Sequence, residues 1–176
     1  MEFVDTLAKR RTCREFGKKP VPKEIVDKLV YAASRAPTAC NLPYRHLMVI
    51  DDPRVIKAIR QVSPSLLADP PLLILVLSYL KMPTELMGTS PLTEWSAFVD
   101  SGAAGENILL AATDLGLGSQ FTMIPSMAAI REILHLPENF RVDLIIPVGY
   151  PQGEVKSVKA RRNANTVFHN GFGESY

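Results

Sequence analysis

The densest chemistry in the chain lies at Arg10-Arg11-Thr12-Cys13-Arg14. In an extended strand successive side chains point to opposite sides, so Arg10, Thr12 and Arg14 would share one side. Two forked guanidiniums flanking a hydroxyl suit a phosphate, because charge-assisted donors can meet several oxygens at once. A plain solvated basic surface is the competing reading of the same five residues. A second pattern, Ala36-Pro37-Thr38-Ala39-Cys40-Asn41, combines small residues with a hydroxyl and an amide, so a flat ring system could approach its backbone closely. A helix stop followed by a turn would look the same. Leu115-Gly116-Leu117-Gly118-Ser119, running into Gln120-Phe121-Thr122, reads as a helix cap and turn before a strand, with no GxGxxG. Ile146-Pro147-Val148-Gly149-Tyr150-Pro151 reads as a strand end, followed by a basic arm carrying Lys156, Lys159, Arg161 and Arg162.

Other catalytic schemes find little to work with. His46, His135 and His169 are scattered, without HExxH or Cys/His metal spacing, and His46, opening an apolar strand, reads as a core histidine. No nucleophile elbow or P-loop occurs. Cys13 and Cys40 fit two reduced thiols, and nothing pairs either with a base.

The elements that must carry these residues follow from periodicity. Phe3, Val4, Leu7 and Ala8 predict a helix over residues 2–9, ending near the arginines, where cations suit its C-terminal dipole. Pro22 opens a second helix with Ile25, Val26, Leu29, Val30 and Ala33 as its buried stripe, and Pro37 closes it. His46 to Ile50 reads as a strand, Asp52-Pro53 as a helix start, and Leu72 to Ser78 as a strand buried on both faces. Residues 81–93 have no clear period and read as a surface excursion or lid. Trp95 to Leu115 is a long helix whose Gly102-Ala103-Ala104-Gly105 admits a close neighbour, either another helix or its own sheet. Gln120 to Met123 is a strand candidate, Ser126 to Leu134 a helix and Val142 to Gly149 a strand. The last fifteen or so residues read as an arm. This order is α+β, a single domain over 1–176, without repeat or linker.

At 176 residues, 47% apolar and 22% charged, the chain can bury a full core without disulfides or metals. Disordered, collagen-like and coiled-coil classes are excluded. The net charge of +2 is too small for a nucleic-acid or membrane-surface protein. Its distribution is uneven: residues 1–24 and 154–162 each carry +3, and the stretch between carries −3. Both ends could serve one compact anion, or form two basic segments that never meet. The acidic, amphipathic start has no signal-peptide pattern, and no apolar run is long enough to span a bilayer. A cytoplasmic location is expected.

In order, RRTCREF, KPVPKEIVDKLVYAASRAPTACN, DSGAAGENILLAATDLGLGS and LIIPVGYP with a terminal Arg pair resemble the nitroreductase superfamily of FMN flavoproteins over roughly residues 2–165. The resemblance is weakest at 78–95. It implies an α+β sandwich with a mostly antiparallel central sheet flanked by helices. It also implies an intertwined homodimer, with FMN at the subunit interface. Carried over by motif, Arg10, Arg11, Thr12 and Arg14, with Arg161 or Arg162, would hold the FMN phosphate and ribityl chain. Pro37, Thr38, Ala39 and Asn41 would come from the partner subunit and lie against the isoalloxazine. Gln120 to Ile124 matches the strand that faces flavin N5, with a Thr122 or Met123 donor nearest. Three features depart from the family pattern. Asn41-Leu42-Pro43-Tyr44 is one residue short, with Tyr44 in the aromatic place. Thr122-Met123-Ile124-Pro125 stands where many members carry an acid and a glycine, and the lid at 81–95 is small. The implied activity is ping-pong transfer of hydride from NADH or NADPH, through flavin N5, to a small-molecule acceptor such as a nitroaromatic or quinone, with no catalytic side chain required. The alternatives are a reductive dehalogenase or flavin-fragmenting branch, or a non-catalytic flavin-binding electron relay.

Overall fold

The computed structural model describes residues 2–67, 69–87, 91–122, 124, 126–153 and 167–174. The elements run α1 (Phe3–Lys9), α2 (Lys23–Ser34), a 3-10 turn (Ala39–Asn41), β1 (Arg45–Ile50), α3 (Pro53–Gln61), β2 (Leu72–Tyr79), α4 (Lys81–Met87), α5 (Pro91–Asp114), β3 (Gly118–Ser119), α6 (Met127–Leu134) and β4 (Phe140–Gly149). The four strands form one sheet in the order β1-β2-β4-β3, with every neighbouring pair antiparallel. The expected α+β sandwich with a central antiparallel sheet is what the chain adopts.

β2 explains the layers. Its residues alternate between two apolar clusters, so Leu72, Ile74 and Val76 pack with Leu29, Ala33, Ala104, Ile108 and Ala112 from α2 and α5. Leu73, Leu75 and Leu77 pack with Ile56, Ile59 and Ile130 from α3 and α6. A strand covered on both faces is apolar along its length, as Leu72 to Leu77 are, and the buried Ser78 that follows bonds its hydroxyl to Asp143. Side-chain caps set two helix starts: Asp52 accepts from the Arg54 N–H at 2.8 Å, and Ser126 from the Ala129 N–H at 3.3 Å.

Two expectations need correction. The described residues of 81–93 are helical: α4 occupies Lys81–Met87, with Lys81 and Glu85 paired at 3.7 Å one turn apart, and α5 begins at Pro91, four residues before the expected Trp95. Pro83 falls in the first turn, where a missing N–H leaves no helical bond unmade. The expected strand at Gln120 to Met123 shrinks to Gly118–Ser119, followed by a single bridge from Thr122 to Ile145. The chain leaves the sheet because Phe121 turns onto Gly105, where a Cβ would stand 2.5 Å from the Phe121 ring and 2.8 Å from Leu144. Gly105 therefore admits its own sheet and the following segment, while Gly102 faces open space.

β4 carries a bulge opposite Val76 and Leu77, which pair with Leu144 and Val142 and leave Asp143 as the extra residue. Its carboxylate is fully enclosed and accepts from the hydroxyls of Ser78 and Ser101 and from Arg141 Nε. Arg141 in turn lies 3.9 Å from the centroid of the Phe98 ring. A bulge re-aims side chains locally, and here it turns Asp143 toward α5, where two hydroxyls and a cation offset its desolvation. Replacing Asp143 with Ala strands Arg141 in a site only 15% exposed. Urea denaturation should show a loss of about 3–5 kcal/mol, as for a buried pair deprived of one partner.

Candidate functional site

Residues 10–17 leave α1 extended and are stitched on both flanks. Cys13 N–H donates to Ser119 O at 3.0 Å, Gly17 N–H to Tyr150 O at 2.8 Å and Gln152 N–H to Glu15 O at 3.0 Å. Alternation then sorts the side chains. Cys13 is buried, while Arg10, Thr12 and Arg14 line a cavity of about 470 Å³ together with Ser65, Leu67, Glu106, Leu109, Gln120 and Phe121; past Arg14 the alternation breaks, and Phe16 is buried as well. Arg10 Nε pairs with Glu106 at 3.3 Å, which fixes one guanidinium at the cavity wall. Arg11 points elsewhere: its Nη1 donates to Ala8 O and Arg10 O, both at 2.7 Å, closing the C-terminus of α1. Of the four residues expected here, the structure brings three together and gives Arg11 a capping role.

The loop at 36–41 borders a second cavity of about 410 Å³, lined by Thr38, Asn41, Pro43, Arg45 and Leu47 among others. The two cavities share no lining residue. Pro37 is exposed, its carbonyl accepting from Arg45 at 2.9 Å, and the same guanidinium donates to Ala36 O at 2.7 Å. Ala39 contributes its backbone N–H, which donates to Asp100 Oδ2 at 2.6 Å. Tyr44 does not present its ring to solvent. It is 1% exposed and donates its hydroxyl to the same Asp100 oxygen. Burial, reinforced by the Asp100 bond, raises the Tyr44 phenol above its ordinary value, so it remains a donor. Burial also lowers Arg45, with the nearby Asp100 charge opposing that shift.

Gln120 lines the first cavity, whereas Thr122 is buried and is not among its lining residues. The Gln120 amide donates to Ser65 O at 3.5 Å and to Thr122 Oγ1 at 3.3 Å. The Thr122 N–H is committed to Ile145 O at 3.0 Å, so the donor that Thr122 can still offer is its hydroxyl. Met123, Arg161 and Arg162 lie outside the described residues. His46 is exposed rather than in the core. It stands edge-on to Tyr79 and Phe140, with Nδ1 3.1 Å from Tyr44 O. Sequence reasoning passed over Asp100 and Glu106 as site residues. The one available signal for Asp100 was its position as the sole charge between Glu94 and Glu106 in an otherwise uncharged stretch of helix. Among the described residues no group of three or more His, Cys, Asp and Glu could hold a metal.

Known proteins resemble this chain in sequence and fold. The model of the nitroreductase family matches residues 7–71 and 60–150. An NADPH-dependent oxidoreductase of Staphylococcus aureus is 29% identical over 177 residues, covering 93% of this chain and 70% of its own. A Methanothermobacter thermautotrophicus protein, provisionally assigned as an NADH dehydrogenase/NAD(P)H nitroreductase, is 30% identical over 159 residues, 86% of this chain and 78% of its own. Among solved structures, an FMN-dependent nitroreductase of Clostridium difficile superposes with a TM-score of 0.81 at 27% identity, over 96% of this chain and 99% of its own. The chain belongs to the nitroreductase family, a family of enzymes.

The two thiols differ sharply in environment. Cys13 is buried, with burial pushing its thiol above the ordinary value, and Cys40 is exposed. Mass-spectrometric mapping after brief iodoacetamide treatment at pH 8 should find Cys40 alkylated and Cys13 intact, because the thiolate is the nucleophile and Cys13 supplies less of it.

Proposed function

We propose that the protein is an FMN-dependent oxidoreductase that passes reducing equivalents from NADH or NADPH to a small-molecule acceptor such as a nitroaromatic or quinone. The observation that carries this reading is the Arg10, Thr12 and Arg14 face of one cavity. Two guanidiniums and a hydroxyl on one wall are a donor set for a terminal phosphate, and FMN ends in one. The donor chemistry fits the cofactor. The Clostridium difficile neighbour is itself an FMN-dependent nitroreductase. When bound, the flavin supplies the electron transfer; the chain supplies grip, orientation and shielding.

In this reading Arg14 and Thr12 hold the phosphate, and Arg10 is pre-positioned by Glu106. Gln120 orients the Thr122 hydroxyl, leaving that hydroxyl's proton for the ring edge. Arg11 secures the end of α1 beneath the phosphate residues. Arg161 or Arg162 adds a further cation, and Met123 lies beside Thr122, on the family resemblance alone. Pro37, Thr38, Ala39 and Asn41 form the opposite wall. Because the two cavities share no residue within one chain, we assign the second wall to a partner subunit, so that a two-fold homodimer completes two sites. Exposed apolar side chains support this: Phe3, Val4 and Leu7 of α1 and Trp95 and Val99 of α5 lie uncovered on helices that touch one another. The chain works in this reading as one domain in the cytoplasm. Among the described residues no helix is long and apolar enough to cross a membrane.

Heat-released pigment should be FMN, not FAD. Arg14→Ala should weaken FMN binding by about 1.5–3 kcal/mol, the range for a charge-assisted hydrogen bond, and leave riboflavin binding unchanged. Titration of the apoprotein with each flavin reads both, and an equal loss for riboflavin would remove Arg14 from the phosphate. Light scattering at micromolar concentration should give about 39 kDa, twice the 19.4 kDa chain; a monomer holding stoichiometric flavin would exclude the composite site. Anaerobic bleaching of the yellow protein by NADH or NADPH should be rapid, whereas a pure electron relay would stay yellow.

A further inference from the structure

The carboxylate of Asp100 lies inside the molecule, 7% exposed, on a stretch of α5 with no other charge. A buried carboxylate persists only where donors replace its water. The donors here come from far along the chain: the Ala39 N–H at 2.6 Å, 61 residues away, and the Tyr44 hydroxyl, 56 residues away. Arg45 completes the clamp, its guanidinium reaching Ala36 O, Pro37 O and, at 3.4 Å, the Asp100 carbonyl. Between these anchors the loop holds a conformation that it would not keep unaided. Cys40 and Asn41 both occupy the left-handed region, at φ 52° and 55°, and neither is a glycine. That conformation sets Thr38 and Asn41 on the cavity wall, while Asp100 lines neither cavity.

We propose that Asp100 is the positioning residue of the flavin-facing loop, holding residues 37–41 through Ala39 and Tyr44 in the shape that receives the isoalloxazine ring. It acts through the loop and touches no reactant. This inference rests on the FMN reading above. It separates two kinds of grip on the same ligand: the arginine face acts on the phosphate, and Asp100 acts on the ring.

Riboflavin, which has the ring but no phosphate, distinguishes them. Apoprotein is titrated with FMN and with riboflavin, following the visible absorption of the bound flavin. Asp100→Ala should raise both dissociation constants by the same factor, about tenfold for the loss of hydrogen bonds to a charged group. It should also move the bound-flavin spectrum toward that of free flavin. Asp100→Asn keeps an acceptor oxygen and should recover both affinities to within about threefold of wild type. A merely structural role would lower the melting temperature and leave the spectrum and both flavin affinities of the folded protein untouched. A folded Asp100→Ala with unchanged affinity and spectrum overturns the proposal, as does a loss confined to FMN. Should Asp100→Ala not fold, Tyr44→Phe decides: both flavins are expected to weaken about threefold, and unchanged binding of both overturns the proposal. Wild-type protein that binds neither flavin overturns the FMN reading itself, an outcome distinct from wild type binding while the Asp100 variants are indifferent.

Discussion

The close passage of the extended segment 10–17 against Gly118 governs everything built around it. A Cβ on Gly118 would stand 2.5 Å from Cys13 Sγ and 2.6 Å from Cys13 Cβ, so only glycine lets the two backbones approach within bonding distance. With that approach, Cys13 donates to Ser119 and residues 10–14 are held extended. Extension in turn fixes the alternation that buries Cys13 and presents Arg10, Thr12 and Arg14 together. A helical path through the same five residues would still put Arg10 and Arg14 on one face, but it would turn Thr12 away from them, so the hydroxyl between the two guanidiniums needs the extended path. The full donor set is therefore a consequence of backbone contact, with the side chains following the hydrogen bonds.

The opposite wall is organised by different physics. Around residues 36–41 the anchors are a buried carboxylate, a phenol that burial keeps protonated and a guanidinium bonded to backbone carbonyls. Here the charged groups bond the protein's own main chain; Arg45 lines the cavity while its guanidinium is tied to Ala36 O and Pro37 O, beside Ser34, Thr38, Asn41 and apolar side chains. One wall of the proposed site is thus charged outward, for a ligand, and the other is charged inward, for a loop. That division matches a ligand with an anionic tail and a largely apolar, planar head.

Much of this was legible in the residues, for reasons that can be named. β2 declared itself because burial on both faces leaves six apolar residues in a row, Leu72 to Leu77, and α2 because its stripe repeats at helical spacing. Arg10, Thr12 and Arg14 were legible because strand alternation is a local rule. Asp100 was not, since nothing near it in sequence reveals that its partners stand 56 and 61 residues upstream. The strand expected at 120–123 failed for a similar cause. Gln120-Phe121-Thr122 has strand composition, yet a glycine on α5 offers Phe121 a better seat. The bulge at Asp143 was hidden because β4 remains apolar on either side of it.

Four consecutive duties fall within two turns of α5. Asp100 meets the loop, Ser101 meets Asp143, Gly105 receives Phe121 and Glu106 holds Arg10. Seven residues at 1.5 Å rise span only about 10 Å, and successive positions point in directions 100° apart, so the helix reaches the loop, the sheet and the cationic wall from one short length. Such a segment behaves as a single heritable unit. In chimeras between family members, a crossover placed between residues 100 and 106 would join one parent's loop register to the other parent's phosphate wall. Crossovers at the ends of the helix would carry both across intact.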